Sequence, residues 1–383
     1  MKLKLFLLIL LYGLQSCLPK GDGSVSEVYV DKFKMCVFPL NSLKSDTAII
    51  SLSSLVEYCD FVELDSSEEA FIKPWMTTVT EKYIGVMQEN ASYKLFDRSG
   101  KFLCDIGAIG QGPGEYNILY DDFIDDKNEL IYLIPFIGNK ILIFSTSGEF
   151  KKEIVSPQNL VSPRIFLSDE ILTVIQMPFT AENAIAIQFD IISGQVINEF
   201  SPPSHLIVQN NNETVYNSRN IPRVFDIIHT CSDTLYHFDL INNEMIPIFA
   251  MEYESLEDLY PRYMHLNNHL IMIDLYDRGI VAIDLKNKTS SWVKMINDYY
   301  GNFDVDVFLF SFRNGYFVHN IQPEQLIDNI KQRLTESNCT EQEKLRLFET
   351  LSNLKEGTNN VIFLGKLKSE VNKILGSVTS HTL

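Results

Sequence analysis

At 383 residues and a formal net charge of −18, the chain can form two average domains or one large all-β domain, and it repels phosphate backbones. Nucleic acid is therefore not an expected partner. Its 25 Phe and 17 Tyr favour strands.

The N-terminus reads as a targeting segment. Lys2 and Lys4 form a positive start, and Leu5–Leu14 is an apolar stretch too short and wrongly flanked for a membrane span. Leu14-Gln15-Ser16-Cys17 resembles a bacterial lipoprotein cleavage box, which implies removal of residues 1–16 and diacylation of Cys17. The alternative is an ordinary secretory signal with a chance cysteine. Residues 17–44 then read as a tether and an irregular lead-in, with Gly and Ser near the start. Beyond Cys17 stand Cys36, Cys59, Cys104, Cys231 and Cys339, odd in number and widely spaced. With no Cys-x-x-Cys, neither a zinc site nor a thioredoxin-type motif is indicated, and no cofactor or metal is expected. These cysteines are expected to be buried small hydrophobes, although one pair could bridge.

From Ile49–Leu64, which is strand-like, a unit recurs: apolar strand, polar turn, second strand, edge hairpin. Its landmark is an aromatic or aliphatic residue, then Asp or Ser, then a short turn. The landmark residues are Phe96, Phe144, Phe189, Phe238 and Ile283, the first three followed shortly by Gly100, Gly148 and Gly194. A period of about 45 residues with about four short strands per copy predicts β-propeller blades. Between the first two copies, Ile106–Tyr116 holds four glycines and Pro113, a shaped connection rather than a strand or helix. A sixth blade is then assembled from the chain ends: Phe303–Phe312, Tyr316–Ile321, Val361–Leu367 and an N-terminal strand around Tyr58–Leu64. Such closure removes exposed edges.

Pro323–Lys355 breaks the pattern. Leu326, Ile327, Ile330 and Leu334 have helical spacing, and Thr340-x-x-Glu343 is a capping box before Leu347, Phe348, Leu351 and Leu354. The expected architecture is all-β: a six-bladed β-propeller over 45–368, a helical insertion at 323–356 and a tail at 369–383. The insertion covers one end of the ring or, alternatively, docks a partner.

Three features together, the lipoprotein signal, the run Gly110–Tyr116 (Gly-Gln-Gly-Pro-Gly-Glu-Tyr) and the ending Asn359–Lys368, resemble the six-bladed β-propeller lipoproteins of gut anaerobic bacteria, a group related to NHL-repeat propellers. The resemblance implies the fold and a cell-envelope location. It brings no catalytic motif.

The residues give few signs of chemistry. The glycine run lacks G-x-G-x-x-G spacing and a following Gly-Lys-Ser/Thr, so it is no phosphate loop. Glu115 and Tyr116 lead into the next innermost strand and could reach the propeller's face. Pro163-Arg164, Pro222-Arg223 and Pro261-Arg262 each stand where an innermost strand is expected to start. Three guanidiniums converging on one rim would bind an anion bidentately. Alternatively, each pairs with an acid such as Asp122, Asp169 or Asp226 and ties blades together. His265 and His269 flank a hairpin turn and need not converge on zinc. His229, His237 and His319 read as core or rim residues. Glu68-Glu69, Asp121-Asp122 and Asp125-Asp126 are adjacent pairs whose side chains point to opposite strand faces, so they read as solvated surface or turns rather than catalytic pairs. Trp75 and Trp292 read as packing residues or, alternatively, as stacking platforms for a sugar.

The expectation is a non-catalytic binding module, lipid-anchored in the outer membrane, recognising a small anionic ligand, a glycan or an envelope protein through Arg164, Arg223, Arg262, Tyr116 and Glu115. Two alternatives remain open: a propeller hydrolase or lyase acting on a sugar or lactone, and a scaffold docking a partner through its helical insert.

Overall fold

The structure, a computed structural model, describes residues 25–43, 46–177, 179–207, 215–216, 218–221, 226–229, 234–239, 242, 244–253, 261–267, 269–275, 278–307 and 311–369. Cys17, Arg223 and Cys231 lie outside them. The fold is a six-bladed β-propeller with short helices near the C-terminus, as expected.

Blade 1 comprises Pro74–Val79, Tyr83–Gln88, Tyr93–Asp97 and Phe102–Ile106; blade 2 comprises Leu119–Asp125, Leu130–Pro135, Ile137–Ser145 and Phe150–Val161. Blade 3 follows with Arg164–Ser168, Ile171–Ile175, Ala186–Asp190 and Val196–Phe200. Blade 4 contains Val215–Tyr216, Asp226–His229, Thr234–Asp239 and Glu244–Glu252; blade 5 contains Arg262–Asn267, Leu270–Asp274, Ile280–Asp284 and Thr289–Asn297. Blade 6 joins Phe312–Arg313, Tyr316–Ile321 and Val361–Lys366 to the N-terminal strand Asp60–Glu63. Phe303–Val305 extends blade 5 rather than opening blade 6, because it pairs with Met295–Asn297.

Middle strands are apolar on both faces because each face meets another blade. Ile131, Tyr132, Leu133 and Ile134 are buried in succession, as are Leu270–Asp274. Packing follows the same logic. Among the described residues, an apolar cluster occupies each seam between successive blades, from Met76, Leu95 and Leu133 between blades 1 and 2 to Val86, Val318 and Ile362 between blades 6 and 1. Each fully buried Phe or Leu there contributes about 1.5–3 kcal/mol.

The recurring Asp of the landmark holds its turn. Asp97 Oδ1 accepts from Ser99 N and Lys101 N, Asp190 Oδ1 from Ser193 N, and Asp284 Oδ1 from Lys286 N and Asn287 N. Where the turn glycine is lost in blade 5, Lys288 takes the left-handed conformation itself, at φ 56°.

The lead-in is not irregular. Phe33–Pro39 adds parallel to Glu244–Glu252 of blade 4, with Ser26–Val30 outside it, and Thr47–Ser51 adds parallel to Thr289–Asn297 of blade 5. Asp60–Glu63 then closes blade 6 against Val361–Leu364. These strands are short, and their apolar residues face blade edges laid down two hundred residues later, which a local pattern does not reveal. The helices Pro323–Thr335 and Glu341–Asn353 pack Leu326, Ile330 and Leu347 into the seam of blades 5 and 6, and the Thr340–Glu343 capping box forms.

Candidate functional site

The innermost strands surround an axis filled with charge. Asp121 and Asp122 are buried, not solvated. Adjacent residues do point to opposite faces, but in a propeller both faces of an innermost strand are seams. Asp121 turns to blade 3, where Oδ2 accepts from Ile165 N at 2.8 Å. Asp122 turns to blade 1 and accepts from Thr78 Oγ1 at 2.8 Å and Tyr93 OH at 2.6 Å. A bulge at Tyr120 sets this register.

Three buried guanidiniums close on these carboxylates. Arg164 Nη1 donates to Tyr120 O at 2.9 Å and lies 3.7 Å from Asp121 Oδ1. Arg219, from the connection between the first two strands of blade 4, donates to Asp121 Oδ2 at 3.2 Å and Ile165 O at 2.7 Å. Arg313, from blade 6, donates to Asp121 and, at 3.0 Å, to Asp122 Oδ1. Burial alone would raise the Asp121 carboxyl, but Arg219, Arg313 and Arg164 outweigh it and hold its pKa below the usual range. Burial, then repulsion from Arg313, pulls Arg219 down to about 10, so it stays cationic at neutral pH.

The segment carrying Arg219 crosses the axis. Asn220 Nδ2 donates to His265 O of blade 5 and Phe312 O of blade 6, each at 3.1 Å, and Gly315 N donates to Asn220 Oδ1. Arg219 is held at φ 55°, a conformation that costs a non-glycine residue about 1 kcal/mol or more. Beside it, Asp226 of blade 4 bonds His265 of blade 5 and faces His237 at 3.8 Å.

Beyond this segment, at the end of the axis where the first and second strands of the blades turn, opens a cavity of about 720 Å³. Phe123, Phe166, Leu266 and Leu367 supply apolar wall, and Arg219 links the cavity to the buried cluster. Lys366, Lys368, Glu81, Asp126 and Asp169 also line it. Lys366 is paired with Glu81 at 2.6 Å, and Asp126 accepts from Thr80 Oγ1 at 2.7 Å. Among the described residues, no group of three or more His, Cys, Asp or Glu is arranged to hold a metal.

The expected site residues are not brought to one point. Arg164 belongs to the buried cluster. Arg262 lies 3.6 Å from its cross-strand partner Asp274, so both described arginines sit beside acids as inter-strand or inter-blade ties. Arg223 falls outside the described residues, and the innermost strand of its blade is Val215–Tyr216, earlier than expected. Tyr116 does not reach the propeller face: it is buried, donating to Ile106 O at 2.6 Å and accepting from Tyr93 N at 2.8 Å. Exposed Glu115 accepts from Gly112 N at 2.7 Å and so secures its own loop. Gly107 and Gly114 have φ 69° and 73°, and a Cβ on Gly107 would meet the Tyr116 ring at 2.7 Å. Arg219 and Arg313 escaped the sequence reading. Their shared signal is Arg followed by Asn beside an expected strand end, Arg219-Asn220 and Arg313-Asn314.

The sequence profile described as "Domain of unknown function (DUF4934)" matches residues 35–366. No curated protein matches. A candidate exported protein of Bacteroides fragilis is similar in structure, with TM-score 0.57 at 16% identity, over 84% of this chain and all of that one. A DUF4221 member from Bacteroides vulgatus gives TM-score 0.44 at 11% identity, over 82% of this chain and 98% of that one. The extracellular domain of a candidate one-component system from B. thetaiotaomicron gives 0.38 at 14%, over 62% of this chain and 29% of that one. At 16% identity the first likeness shows the fold alone, and nothing is drawn from the other two.

Proposed function

The chain belongs to the DUF4934 family, and we propose that it is a non-catalytic binding module of the bacterial cell envelope. The observation that carries this reading is the cavity at the turn end of the axis, whose size and mostly apolar wall suit a small molecule. The ligand proposed is a small organic anion with an apolar body, its charged end towards Arg219 and its body against Phe123 and Phe166. Recognition is favoured over hydrolase or lyase chemistry because Asp121 and Asp122 are engaged by guanidiniums and other donors. A carboxylate held in that way is a poor general acid.

The envelope location rests on the lipoprotein-like signal, with Cys17 as the proposed acylation site, and on the exported character stated for the B. fragilis neighbour. Among the described residues no helix is long and apolar enough to cross a membrane. Fractionation tests the anchor: Cys17→Ala should move the protein from the membrane to the soluble fraction, and membrane retention would reject it.

A thermal-shift screen against organic acids tests the cavity. At least one acid should raise Tm. Ser168→Trp, which fills the cavity from the blade 3 turn, should abolish that shift while leaving the unliganded Tm nearly unchanged. No shift with any acid, or a shift that survives Ser168→Trp, would reject the reading. A second reading, docking through the helical insert, is favoured by Leu345 and Phe348, which are 70% and 56% exposed on Glu341–Asn353. Capture of an envelope protein that is lost in Leu345→Asp/Phe348→Asp would support it.

A further inference from the structure

The opposite end of the axis carries a different surface. Here the connections between blades meet. Sixteen large apolar side chains are exposed among the described residues, and six of them belong to blades 1 and 2 and their connections at this end: Phe71, Trp75, Ile109, Ile118, Phe136 and Ile137. They are not scattered singly. The Trp75 and Tyr120 rings are 5.9 Å apart and the Tyr120 and Phe136 rings 5.1 Å apart, so three aromatic residues form one row across the seam. Phe136 N donates to Ile118 O at 2.9 Å, which sets the connection between blades 1 and 2 beside the row. Arg164 lies 4.3 Å from the buried Tyr120 ring and bonds its carbonyl, so the buried cluster fixes the middle of the row. Rigid rings lose little conformational entropy when a partner covers them. Exposed apolar side chains gathered in this way mark an interaction surface.

The margin of this sector is acidic. Glu68 and Glu69, both exposed, stand on the short turn that leads into Phe71. Glu89, also exposed, follows Gln88, which accepts from Lys73 N at 2.8 Å and pairs across the strands with Pro74, next to Trp75. Against these three carboxylates stands exposed Lys73. Of the other lysines nearby, Lys94 is paired with Asp105 at 2.9 Å and Lys140 with Glu153 at 2.8 Å. The balance is therefore negative, the sign of the whole chain at −18. That sign selects the occupant. A second copy would bring its own acidic margin against this one, and like charges facing each other oppose association. An anionic lipid surface is repelled for the same reason. A cationic partner is steered in, its apolar side chains can cover the rings, and a guanidinium or ammonium over Trp75 or Phe136 gains from the aromatic face.

We infer that this sector docks a protein partner through a segment that carries basic and apolar side chains together. The surface is separate from the cavity and from the helical insert. The test is selection of a random twelve-residue peptide library on the full chain, with Trp75→Ala/Phe136→Ala as the counter-selection. Peptides held by the wild type and not by the double variant should be rich in Arg or Lys and in aromatic or aliphatic residues. In a Trp292→Phe background, where Trp75 is the sole reporter, they should change the emission. Phe136→Ala should weaken their binding at least tenfold without changing Tm. Glu68→Gln/Glu69→Gln/Glu89→Gln should weaken it at least threefold at low salt and less at high salt. Binding should survive Ser168→Trp, which keeps this outcome distinct from that of the cavity. No peptide separated by the counter-selection, selected peptides without basic residues, or binding indifferent to the three carboxylate replacements would overturn the inference. Self-association or vesicle binding that Phe136→Ala abolishes would overturn it as well, by making a second copy or a lipid surface the occupant.

Discussion

Replacing Asp121 by Asn would remove one of two carboxylates from a buried cluster of three guanidiniums. The amide keeps the shape but loses the charge that faces Arg164, Arg219 and Arg313. Breaking a buried ion pair from one side costs about 3–5 kcal/mol, because the partner stays buried without compensation. Arg219 and Arg313 also face Asp122, so the lower half of that range is expected. Urea unfolding would read the loss as a lower midpoint at unchanged m-value. The pH profile gives a second reading. The pKa of Asp121 is lower in the fold than in the unfolded chain, so its contribution is full above the unfolded value of about 4 and is lost as pH falls through the folded value. The difference between the wild type and Asp121→Asn should therefore be constant at neutral pH and shrink only in strong acid. A loss below about 1 kcal/mol, or one that shrinks near neutrality, would refute the idea that the cluster acts through charge.

Three further outcomes are expected. Gly107→Ala should cost more than about 1 kcal/mol in urea unfolding, because φ 69° and contact with the Tyr116 ring both oppose a Cβ. Burial lowers the His319 pKa to about 4, so the fold loses stability as pH falls from about 6.5 towards that value, by up to about 3 kcal/mol; His319→Gln should flatten that limb of a stability–pH curve. Thr340→Ala removes the side-chain bond to Glu343 N and should cost about 1 kcal/mol, measured by thermal unfolding.

The ring was legible because its repeat has a local chemical cause. An Asp or Ser that accepts from the backbone of its own turn leaves the same mark in five of the six blades, even where the glycine is gone. The capping box at Thr340 is equally local. The axis was harder to read. Asp121-Asp122 looks like surface until both faces of its strand are known to be seams, a fact of the closed ring rather than of any segment. Arg164 and Arg262 were noticed for the prolines before them, yet the cluster takes its other cations from Arg219 and Arg313, which come from blades 4 and 6. The strands at Phe33–Pro39 and Thr47–Ser51 were missed because their partners stand far along the chain, and the aromatic row because Trp75, Tyr120 and Phe136 meet only across two blades.

The closing of blade 6 has a consequence for biogenesis. Asp60–Glu63 is made early, and Val361–Lys366, to which it pairs, is made last. The preceding strands, on blades 4 and 5, wait almost as long for their edges. A chain made N-terminus first therefore carries no completed ring until its far end is available. Loop-closure entropy across some three hundred residues makes the joining slow. Delayed ring completion leaves the early strands without their edges until the end of synthesis, and a product truncated before residue 361 keeps the edge of Asp60–Glu63 unpaired.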